Sequence, residues 1–307
     1  MKKYPEPGSN ICLVTVFNHK YEANIEKLDK IYQDKFSNRY YLMPFYDGHN
    51  PFICPVYESS FFFQGYFSQS LPRFYNEKYT HYVFIADDLI LNPRVNQNNI
   101  GKLLNVSPDG GYIKSVFTLH NIEPYWSHIL KGIDAFYNSG CEYQDVLPTY
   151  EQAIQRFQRH GIVFGDCMMR FKVKWMLSTY GMGIIKKIFQ ALLFLKNHQY
   201  KAEILPYPIV GGYSDFVIVP ASCIKQFCHY CGVFAAMNLF VEIAIPTALL
   251  LACENVVFES NDFQGIEFWE GEELDLMKEC HSNVNEIFHK YPSNLYVHPI
   301  KLSKWQV

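Results

Sequence analysis

Two short apolar runs constrain the fold of this chain more than any other feature of its sequence. Residues 10–17 read NICLVTVF, and the run YVFIA at 82–86 leads directly into Asp87 and Asp88. Neither run alternates with polar residues, so both faces of each strand are expected to be covered. Strands covered on both faces are typical of a parallel sheet that lies between two layers of helices.

Segments with helical spacing separate these runs. Residues 21–36 place Ile25, Leu28 and Tyr32 at helical intervals, 39–46 (RYYLMPFY) reads as a second strand, and 59–75 as an aromatic-rich helix. This order predicts a β-α-β opening. For the rest of the chain the patterns predict strands at 111–119, 202–206, 213–219 and 294–297, and helices at 150–164, 168–198 (interrupted at 181–183), 221–252 (broken or bent near Pro246) and 274–290.

The composition is that of a folded globular protein, with 49% hydrophobic and 19% charged residues among 307. The net charge is -3 and the 27 basic residues form no long run, so a nucleic-acid partner is not expected. Neither a linker nor a repeat divides the chain. We therefore predict one three-layer α/β domain over 1–307, Rossmann-like, with a mostly parallel mixed sheet and an enlarged helical second half.

The cysteines favour a reducing compartment, because the nine of them are scattered and odd in number. Cys223, Cys228 and Cys231 lie close together, but a second pair of ligands for a zinc site is absent, so buried thiols are the favoured interpretation. The first residues lack the long apolar stretch of a signal peptide. The location expected from these features is the cytoplasm.

Two apolar segments raise the question of membrane contact. Residues 232–253 are long enough to suggest a membrane span, but Glu242 and Pro246 interrupt them, which favours a buried segment. Residues 183–195 (GIIKKIFQALLFL) carry Lys186 and Lys187 among apolar residues. A buried helix with two solvated lysines is the favoured interpretation, and peripheral docking on a membrane that carries a lipid-linked acceptor is the alternative.

The two acids after the second run are the first candidates for a functional site. Ligands of open α/β sheets bind beyond the carboxyl ends of the strands, and Asp87 and Asp88 are predicted to lie there. Carboxylate oxygens are ligands that Mg²⁺ and Mn²⁺ prefer, and side chains alternate along a strand, so one of the two is expected to bind the metal directly. The alternative is a β-turn with Asp at its corners.

The last residues of the chain supply groups of complementary chemistry. His298 follows a predicted strand, Lys301 and Lys304 follow His298, and Trp305 comes directly after them. A neutral imidazole can complete the shell of a divalent metal, and lysines can hold a diphosphate as point charges.

Together these features resemble the nucleotide-sugar-dependent glycosyltransferases of the GT-A fold. The resemblance lies in the β-α-β opening through Phe17-Asn18, in Ala86-Asp87-Asp88 with LILNP after it, and in the terminal segment from His298 to Trp305. It implies a strand-end DxD-like motif, here with Ala86 in its first position, which holds Mn²⁺ or Mg²⁺ on the diphosphate of a UDP- or GDP-sugar.

The same resemblance implies roles for residues and for the two halves of the chain. Asp87, Asp88 and His298 would be the metal ligands, with Asp88 the principal one and Asp87 near the ribose or a metal-bound water. Phe17, Asn18, Lys301 and Lys304 would contact the donor. Residues 10–105 would bind the nucleotide sugar. Residues 106–307 would receive the acceptor, a glycan, polysaccharide or glycolipid, in a hexosyl- or pentosyltransferase reaction, and would end in the metal and diphosphate segment.

Two further stretches contain candidate residues. Gly211 and Gly212 allow a close approach of backbone to ligand, and Asp215 after them could bind a sugar hydroxyl; a turn between strands explains the same residues. Glu242 lies in an apolar run, where desolvation would raise the pKa of its carboxyl and suit it to act as a general base toward the acceptor. A structural Glu paired with Arg or Lys is the alternative.

Other functional classes are weighed against specific motifs. The sequence contains no GxxxxGK[ST], so a P-loop is not expected, and Gly181-Met182-Gly183 lacks the third glycine of a dinucleotide fingerprint. A sugar-phosphate nucleotidyltransferase would need a Gly-rich loop after the first strand, where this chain has Asn18-His19-Lys20. A non-catalytic nucleotide- or glycan-binding protein on the same scaffold stays the main alternative to an enzyme.

Overall fold

A computed structural model describes residues 10–119, 121–122, 127–137, 140–165, 168–169, 181–197, 205–269 and 271–307. Its strands are β1 (Ile11–Val16), β2 (Asn38–Pro44), β3 (Ile53–Val56), β4 (His81–Ala86), β5 (Ile90–Leu91), β6 (Gly110–Ile113), β7 (Val116–Thr118), β8 (Asn121–Ile122), β9 (Met168–Met169), β10 (Val210–Gly212), β11 (Phe216–Pro220), β12 (Asn255–Phe258), β13 (Ile266–Glu267) and β14 (Tyr296–His298). Its helices are α1 (Ala23–Tyr32), α2 (Gln64–Phe74), α3 (Ile100–Leu103), α4 (Ser127–Tyr137), α5 (Tyr150–Arg159), α6 (Gly183–Asn197), α7 (Ile224–Ala236), α8 (Val241–Ala252), α9 (Glu272–Glu279) and α10 (Val284–Lys290).

The predicted three-layer α/β architecture is confirmed. Seven strands form one sheet in the order β12-β6-β11-β4-β1-β2-β3, in which β11 alone runs antiparallel to its neighbours. Alternate residues of β1 pack on opposite faces: Val14 joins the core under α2, α7 and α8, and Leu13 joins the core under α1. Each face of the sheet is therefore covered by helices, which is why the central strands β1 and β4 are buried at every position and mostly apolar.

The β-α-β opening is also confirmed, with one strand added. β1 pairs in parallel with β2 on one side and with β4 on the other, and α1 lies between β1 and β2 in the chain. The pattern analysis did not predict β3, which contains Pro55. Proline removes one backbone donor, and β3 tolerates this because it lies at the edge of the sheet.

Several predicted boundaries in the second half were wrong. The predicted strand 111–119 is two strands, and β7 leaves the main sheet to pair with β10. Met168 and Met169, predicted to be helical, form β9, and helix α6 begins only at Gly183. The stretch 170–180 lies outside the described residues, as does 202–204 of the predicted strand 202–206, of which Leu205 and Pro206 are not in a strand.

The long predicted helices are each divided by a residue with positive φ. The helix expected over 221–252 ends at Ala236, Asn238 has φ 55°, and α8 starts at Val241, so the break precedes Pro246, which lies inside α8. The helix expected over 274–290 is divided into α9 and α10 by His281 and Ser282, with φ of 50° and 56°. None of these three residues is glycine, so the composition did not mark the breaks.

Cys223 and Cys253 are paired in a disulfide, which contradicts the expectation that Cys223 is a buried thiol. The bond joins the residue before α7 to the residue after α8. Cys228 and Cys231 are buried thiols, as predicted. Among the described residues, no helix is both long and apolar enough to cross a membrane.

Candidate active site

The reversal of strand order places the ends of β1 and β4 at a topological switch point. From β1 the chain proceeds outward to β2 and β3 and then crosses back to β4, on the other side of β1. Both strands end at the same edge of the sheet, where the backbone N–H of Asp87 donates to the carbonyl of Val16 at 2.9 Å. The backbone N–H of Asn18 faces Asp87 Oδ1 at 3.4 Å. Such switch points are where open α/β sheets bind ligands.

The second apolar run, Leu89-Ile90-Leu91, provides a strand on which the end of the chain docks. β14 pairs antiparallel with β5, with Tyr296 opposite Leu91 and Val297 opposite Ile90. The backbone N–H of Ile300 donates to the carbonyl of Asp88 at 2.6 Å. This pairing brings His298 Nε2 to 3.1 Å from Asp88 Oδ1. Asp88 and His298, two predicted site residues that are far apart in the sequence, therefore meet.

The geometry of this pair fits a divalent cation. Asp88 Oδ1 is buried and lies at ion-pair distance from His298 Nε2, so a protonated imidazole is its partner when no cation is bound. Two ligands at right angles, each at about 2.1 Å from a cation, are about 3.0 Å apart, which matches the observed separation. No group of three His, Cys, Asp or Glu side chains in the described part of the chain is placed to bind a metal. Mg²⁺ commonly takes one or two protein ligands, with phosphate oxygens and waters completing its shell.

A cleft of about 320 Å³ opens directly onto these acids. That volume lies within the range of small-molecule sites in proteins. Four of the predicted residues are at its wall together with neighbours from the β1 loop, helix α1 and the terminal segment: Asn18, His19, Tyr21, Asn24, Asp87, Asp88, Lys301, Leu302 and Ser303.

The terminal segment is held firmly against α1. Lys27 Nζ donates to the carbonyls of Leu302 and Trp305, at 2.7 and 2.6 Å, and the indole of Trp305 is fully buried. The backbone N–H of Lys301 donates to the carboxylate of Glu273 at 2.7 Å. Lys301 is thereby placed at the cleft. Lys304, on the same turn, is exposed and does not line the cleft.

Burial and the nearby negative charge of Asp88 both disfavour the ionised form of Asp87. Both effects raise the pKa of its carboxyl to about 7, while hydrogen bonds from the Asn18 backbone and the Asn24 side chain oppose the rise. Asn24 is a buried residue whose Oδ1 has no hydrogen-bond partner among the described residues. A cation beside Asp88 would relieve the repulsion between the two acids and favour the ionised form of Asp87.

Asp215 and Glu242 belong to the same electrostatic cluster. Asp215 lies beside the end of β4, since the Ala86 N–H donates to its carbonyl at 3.0 Å. Burial raises the pKa of Asp215 to about 6; His298 opposes the rise, and Asp88 and Glu267 add to it. Burial, and then the charges of Asp215 and Glu267, raise the pKa of Glu242 to about 7. Glu242 is in the first turn of α8.

Aromatic rings support His298. Tyr213 stacks on Tyr296 with centroids 5.8 Å apart, and its edge meets the imidazole at 5.9 Å. Burial lowers the pKa of His298, but Asp88, Asp215 and Glu267 outweigh that effect and raise it above the ordinary value. The ring orientation is therefore set by packing, and its charge state by the surrounding carboxylates.

Three residues predicted to approach the ligand are instead packed against other parts of the protein. Phe17 is fully buried and meets the ring of Tyr41 edge-on at 6.1 Å, so its side chain does not line the cleft. A Cβ on Gly211 would lie 2.4 Å from the ring of Phe117, and one on Gly212 would lie 2.4 Å from the carbonyl oxygen of Ser115. Both glycines thus lie in close contact with β7 or the residue before it, and neither lines the cleft.

The pattern analysis did not single out Asn24 or Lys114. Asn24 lies one turn before Leu28 on the buried side of α1, and a polar residue on an otherwise apolar helix face was the available signal. Lys114 forms an ion pair with Glu267 and lies over the ring of Tyr213 at 5.4 Å. Its neighbours come from distant parts of the chain, so no local pattern indicates its role.

No protein-family model and no curated protein sequence matches this chain. Among solved structures it is similar to the mannosyltransferase Ktr4p from S. cerevisiae, with 10% identity and a TM-score of 0.33, over 83% of this chain and 70% of that one. It is also similar to the apo structure of the bifunctional glycosyltransferase WbbM, with 9% identity and a TM-score of 0.35. That match covers 95% of this chain but 46% of WbbM, less than half its length. At such low TM-scores neither match identifies the function of this chain.

Proposed function

We propose that this protein is a glycosyltransferase of the GT-A kind, which moves a sugar from a UDP- or GDP-sugar to an acceptor hydroxyl. The observation that carries the proposal is the pair of the buried Asp88 Oδ1 and His298 Nε2, 3.1 Å apart at the switch point of the sheet, with Asp88 at the wall of a cleft. The oxygens of a carboxylate and of a substrate diphosphate suit Mn²⁺ or Mg²⁺, and the imidazole would add a nitrogen ligand to the shell.

The donor is proposed to occupy the cleft. Asp88 and His298 would hold the cation, which supplies Lewis-acid stabilisation of the leaving diphosphate when bound. Lys301 at the cleft would add a positive charge toward the phosphates, as a flexible point charge. Asn18, Asn24 and Asp87 would bind the ribose or a water of the cation's shell through hydrogen bonds.

The acceptor is proposed to approach from the side of Glu242. A carboxyl with its pKa near 7 is half ionised at neutral pH, so Glu242 can accept the proton of an acceptor hydroxyl or orient it. Asp215 interacts electrostatically with both His298 and Glu242, and it would contact the donor sugar. The acceptor class is a glycan, polysaccharide or glycolipid.

The substitution Asp88→Asn tests the proposal. It keeps the size of the side chain but removes the anionic oxygen, so the site should lose its affinity for the cation. We expect Mn²⁺-dependent binding of UDP or GDP, measured by calorimetry, to weaken at least ~100-fold, and sugar transfer or slow donor hydrolysis to fall below detection.

The exposed Asp145 offers a matched control, because Asp145→Asn makes the same chemical change outside the cleft and should leave both measurements unchanged. Full Mn²⁺-dependent nucleotide binding by Asp88→Asn would overturn the proposed cation site. Nucleotide binding by the wild type without any release of nucleoside diphosphate, across a panel of donors, would favour the non-catalytic binding protein instead.

A further inference from the structure

Helix α6 carries an apolar stripe on its exposed side. Ile185, Phe189, Leu192 and Leu193 on the helix, and Met182 directly before it, are each between 40% and 79% exposed. At 3.6 residues per turn these five side chains fall within an arc of about 100°. Ile184, which points the other way, is buried. The helix therefore has an apolar surface toward the protein and a second one toward solvent.

The charges beside the stripe all have one sign. Lys186 is exposed at one flank of the stripe, Lys196 is exposed at its C-terminal end, and residues 181–197 contain no Asp or Glu. Lys131 is exposed on α4, the helix against which α6 packs. This positive local charge contrasts with the net charge of -3 for the whole chain. Exposed large apolar side chains with lysines at one flank, at one end and on the neighbouring helix suit a surface that is apolar inside and anionic at its boundary.

The face of α6 opposite the stripe packs on α4, whose first turn lies beside the start of helix α8. Lys187 of α6 and Lys131 are close enough to His128, in the first turn of α4, to lower the pKa of its imidazole, after the larger effect of burial. His128 stacks on Phe240 with centroids 3.6 Å apart. Phe240 is the N-cap of α8, two residues before Glu242. A continuous set of contacts thus leads from α6 to the start of the helix that bears Glu242.

We propose that the stripe of Met182, Ile185, Phe189, Leu192 and Leu193 docks on an anionic lipid bilayer, with the lysines at the level of the headgroups. Exposed apolar side chains would enter the boundary between headgroups and acyl chains, and Lys186 and Lys196 would contact anionic headgroups. A second copy of this chain is the less favourable occupant, because a symmetric contact would bring the lysines of both copies together.

Vesicle flotation tests the docking surface without any reference to turnover. The full chain is mixed with vesicles of phosphatidylcholine alone or with roughly one third phosphatidylglycerol. We expect binding to the anionic vesicles, and at least a tenfold weaker partition for the triple variant Ile185→Gln/Phe189→Gln/Leu192→Gln. Lys186→Gln/Lys196→Gln should weaken binding severalfold, and raising the salt to about 0.5 M should reduce wild-type binding to a similar degree.

Two matched controls distinguish docking through the stripe from non-specific adsorption by any exposed apolar surface and from non-specific attraction by any positive charge. Phe45, Phe52 and Tyr57 are 57% to 68% exposed near the far edge of the sheet, and their change to Gln removes a similar apolar surface. Lys78→Gln/Lys102→Gln removes the same charge at exposed sites elsewhere. Both control variants should bind vesicles like the wild type, and circular dichroism should show every variant folded.

Three outcomes would overturn the proposal. One is no binding of the wild type to anionic vesicles, and another is equal binding by the triple variant and the wild type. The third is self-association in analytical ultracentrifugation that the triple variant loses, without any vesicle binding, which would assign the stripe to a second copy. Nucleotide binding measured on the same samples keeps failure of docking distinct from failure of the proposed activity.

Discussion

At the scale of single residues, the site concentrates buried carboxylates whose negative charge the protein offsets only in part, through His298 and Lys114. Asp87, Asp215 and Glu242 each have a raised pKa, with burial as the largest cause and neighbouring carboxylates as the next charge effect of the same sign. Ionising such groups costs folding free energy, because desolvation and repulsion both oppose it. Residues kept at this cost are characteristic of sites that receive a cation or exchange a proton.

The free-energy cost of ionising the Glu242 carboxyl in the folded protein can be measured from the pH dependence of the free energy of unfolding. The folded state raises the pKa of this carboxyl to about 7, so the folded protein binds more protons than the unfolded chain between the two pKa values. The loss of stability caused by ionising Glu242 is absent at pH values below the pKa of this carboxyl in the unfolded chain. It grows as the pH rises and is complete above about pH 7. Glu242→Gln should therefore increase the free energy of unfolding by about 1–3 kcal/mol at pH 8, and by little at pH 4.

Urea denaturation at several pH values, in the presence of a metal chelator, measures this difference. The same variant should lose most of its transfer activity, so stability and activity should move in opposite directions. Glu77→Gln is the control, because Glu77 is exposed and outside the cluster. A stability gain that is independent of pH would contradict the electrostatic explanation.

At the scale of elements, two small sheets outside the main one assemble the site. The β13-β14-β5 sheet carries His298 to Asp88, and the β10-β7 ribbon precedes Tyr213, whose ring meets the imidazole. The ribbon is tied to α8 as well, since Thr247 Oγ1 accepts from the Val210 N–H at 3.1 Å. Short strands of two or three residues thus fix side chains that come from distant parts of the chain.

The two glycines of the ribbon should respond differently to alanine. A Cβ on Gly212 would meet the Ser115 carbonyl at 2.4 Å and Pro246 at 3.2 Å, so backbone or helix α8 must move. The nearest atoms to a Cβ on Gly211 belong to the ring of Phe117, a side chain that is 47% exposed and can give way more easily than backbone. We expect Gly212→Ala to lower the free energy of unfolding by about 1–3 kcal/mol, and Gly211→Ala by clearly less.

Chemical denaturation of both variants provides the measurement, with Gly211→Ala as the internal control. Nucleotide binding should weaken only for Gly212→Ala, because a displaced β10 would shift Tyr213 and the ring packing around His298. Equal destabilisation by the two substitutions would show that the ribbon does not hold the Ser115 backbone as closely as described.

At the scale of the whole molecule, the disulfide and the site lie at opposite ends of the strands of the main sheet. Cys223 follows β11 and Cys253 precedes β12, whereas the site lies where β11 begins and β4 ends. The bond closes a loop with a sequence separation of 30 residues. A loop of that length limits the unfolded chain enough to contribute about 3–4 kcal/mol to stability.

Cys223→Ser/Cys253→Ser should therefore unfold at a clearly lower urea concentration while nucleotide binding is retained. A reducing agent should destabilise the wild type by a similar amount and leave the double variant unchanged. Identical denaturation curves for the wild type with and without reductant would contradict the contribution assigned to this bond.

The sequence was informative wherever a pattern is local. The apolar runs predicted β1 and β4, helical spacing predicted α1 and α2, and the acids after β4 predicted the edge at which the candidate site lies. Periodicity and strand-end chemistry are properties of a few consecutive residues, so they can be recognised before any contact is known. Boundaries failed where left-handed residues other than glycine, such as Asn238 and His281, end a helix.

By itself, then, the sequence determined the layered α/β fold and proposed Asp88 and His298 as partners. Only the tertiary structure decided that β14 pairs with β5, that Cys223 bonds to Cys253, and that the stripe of α6 faces solvent. The physical reason is the same in each case. Strand pairing and solvent exposure depend on which distant surfaces of the chain bury one another. The identity of an apolar residue in the sequence does not specify whether its neighbour is a helix, a sheet or water.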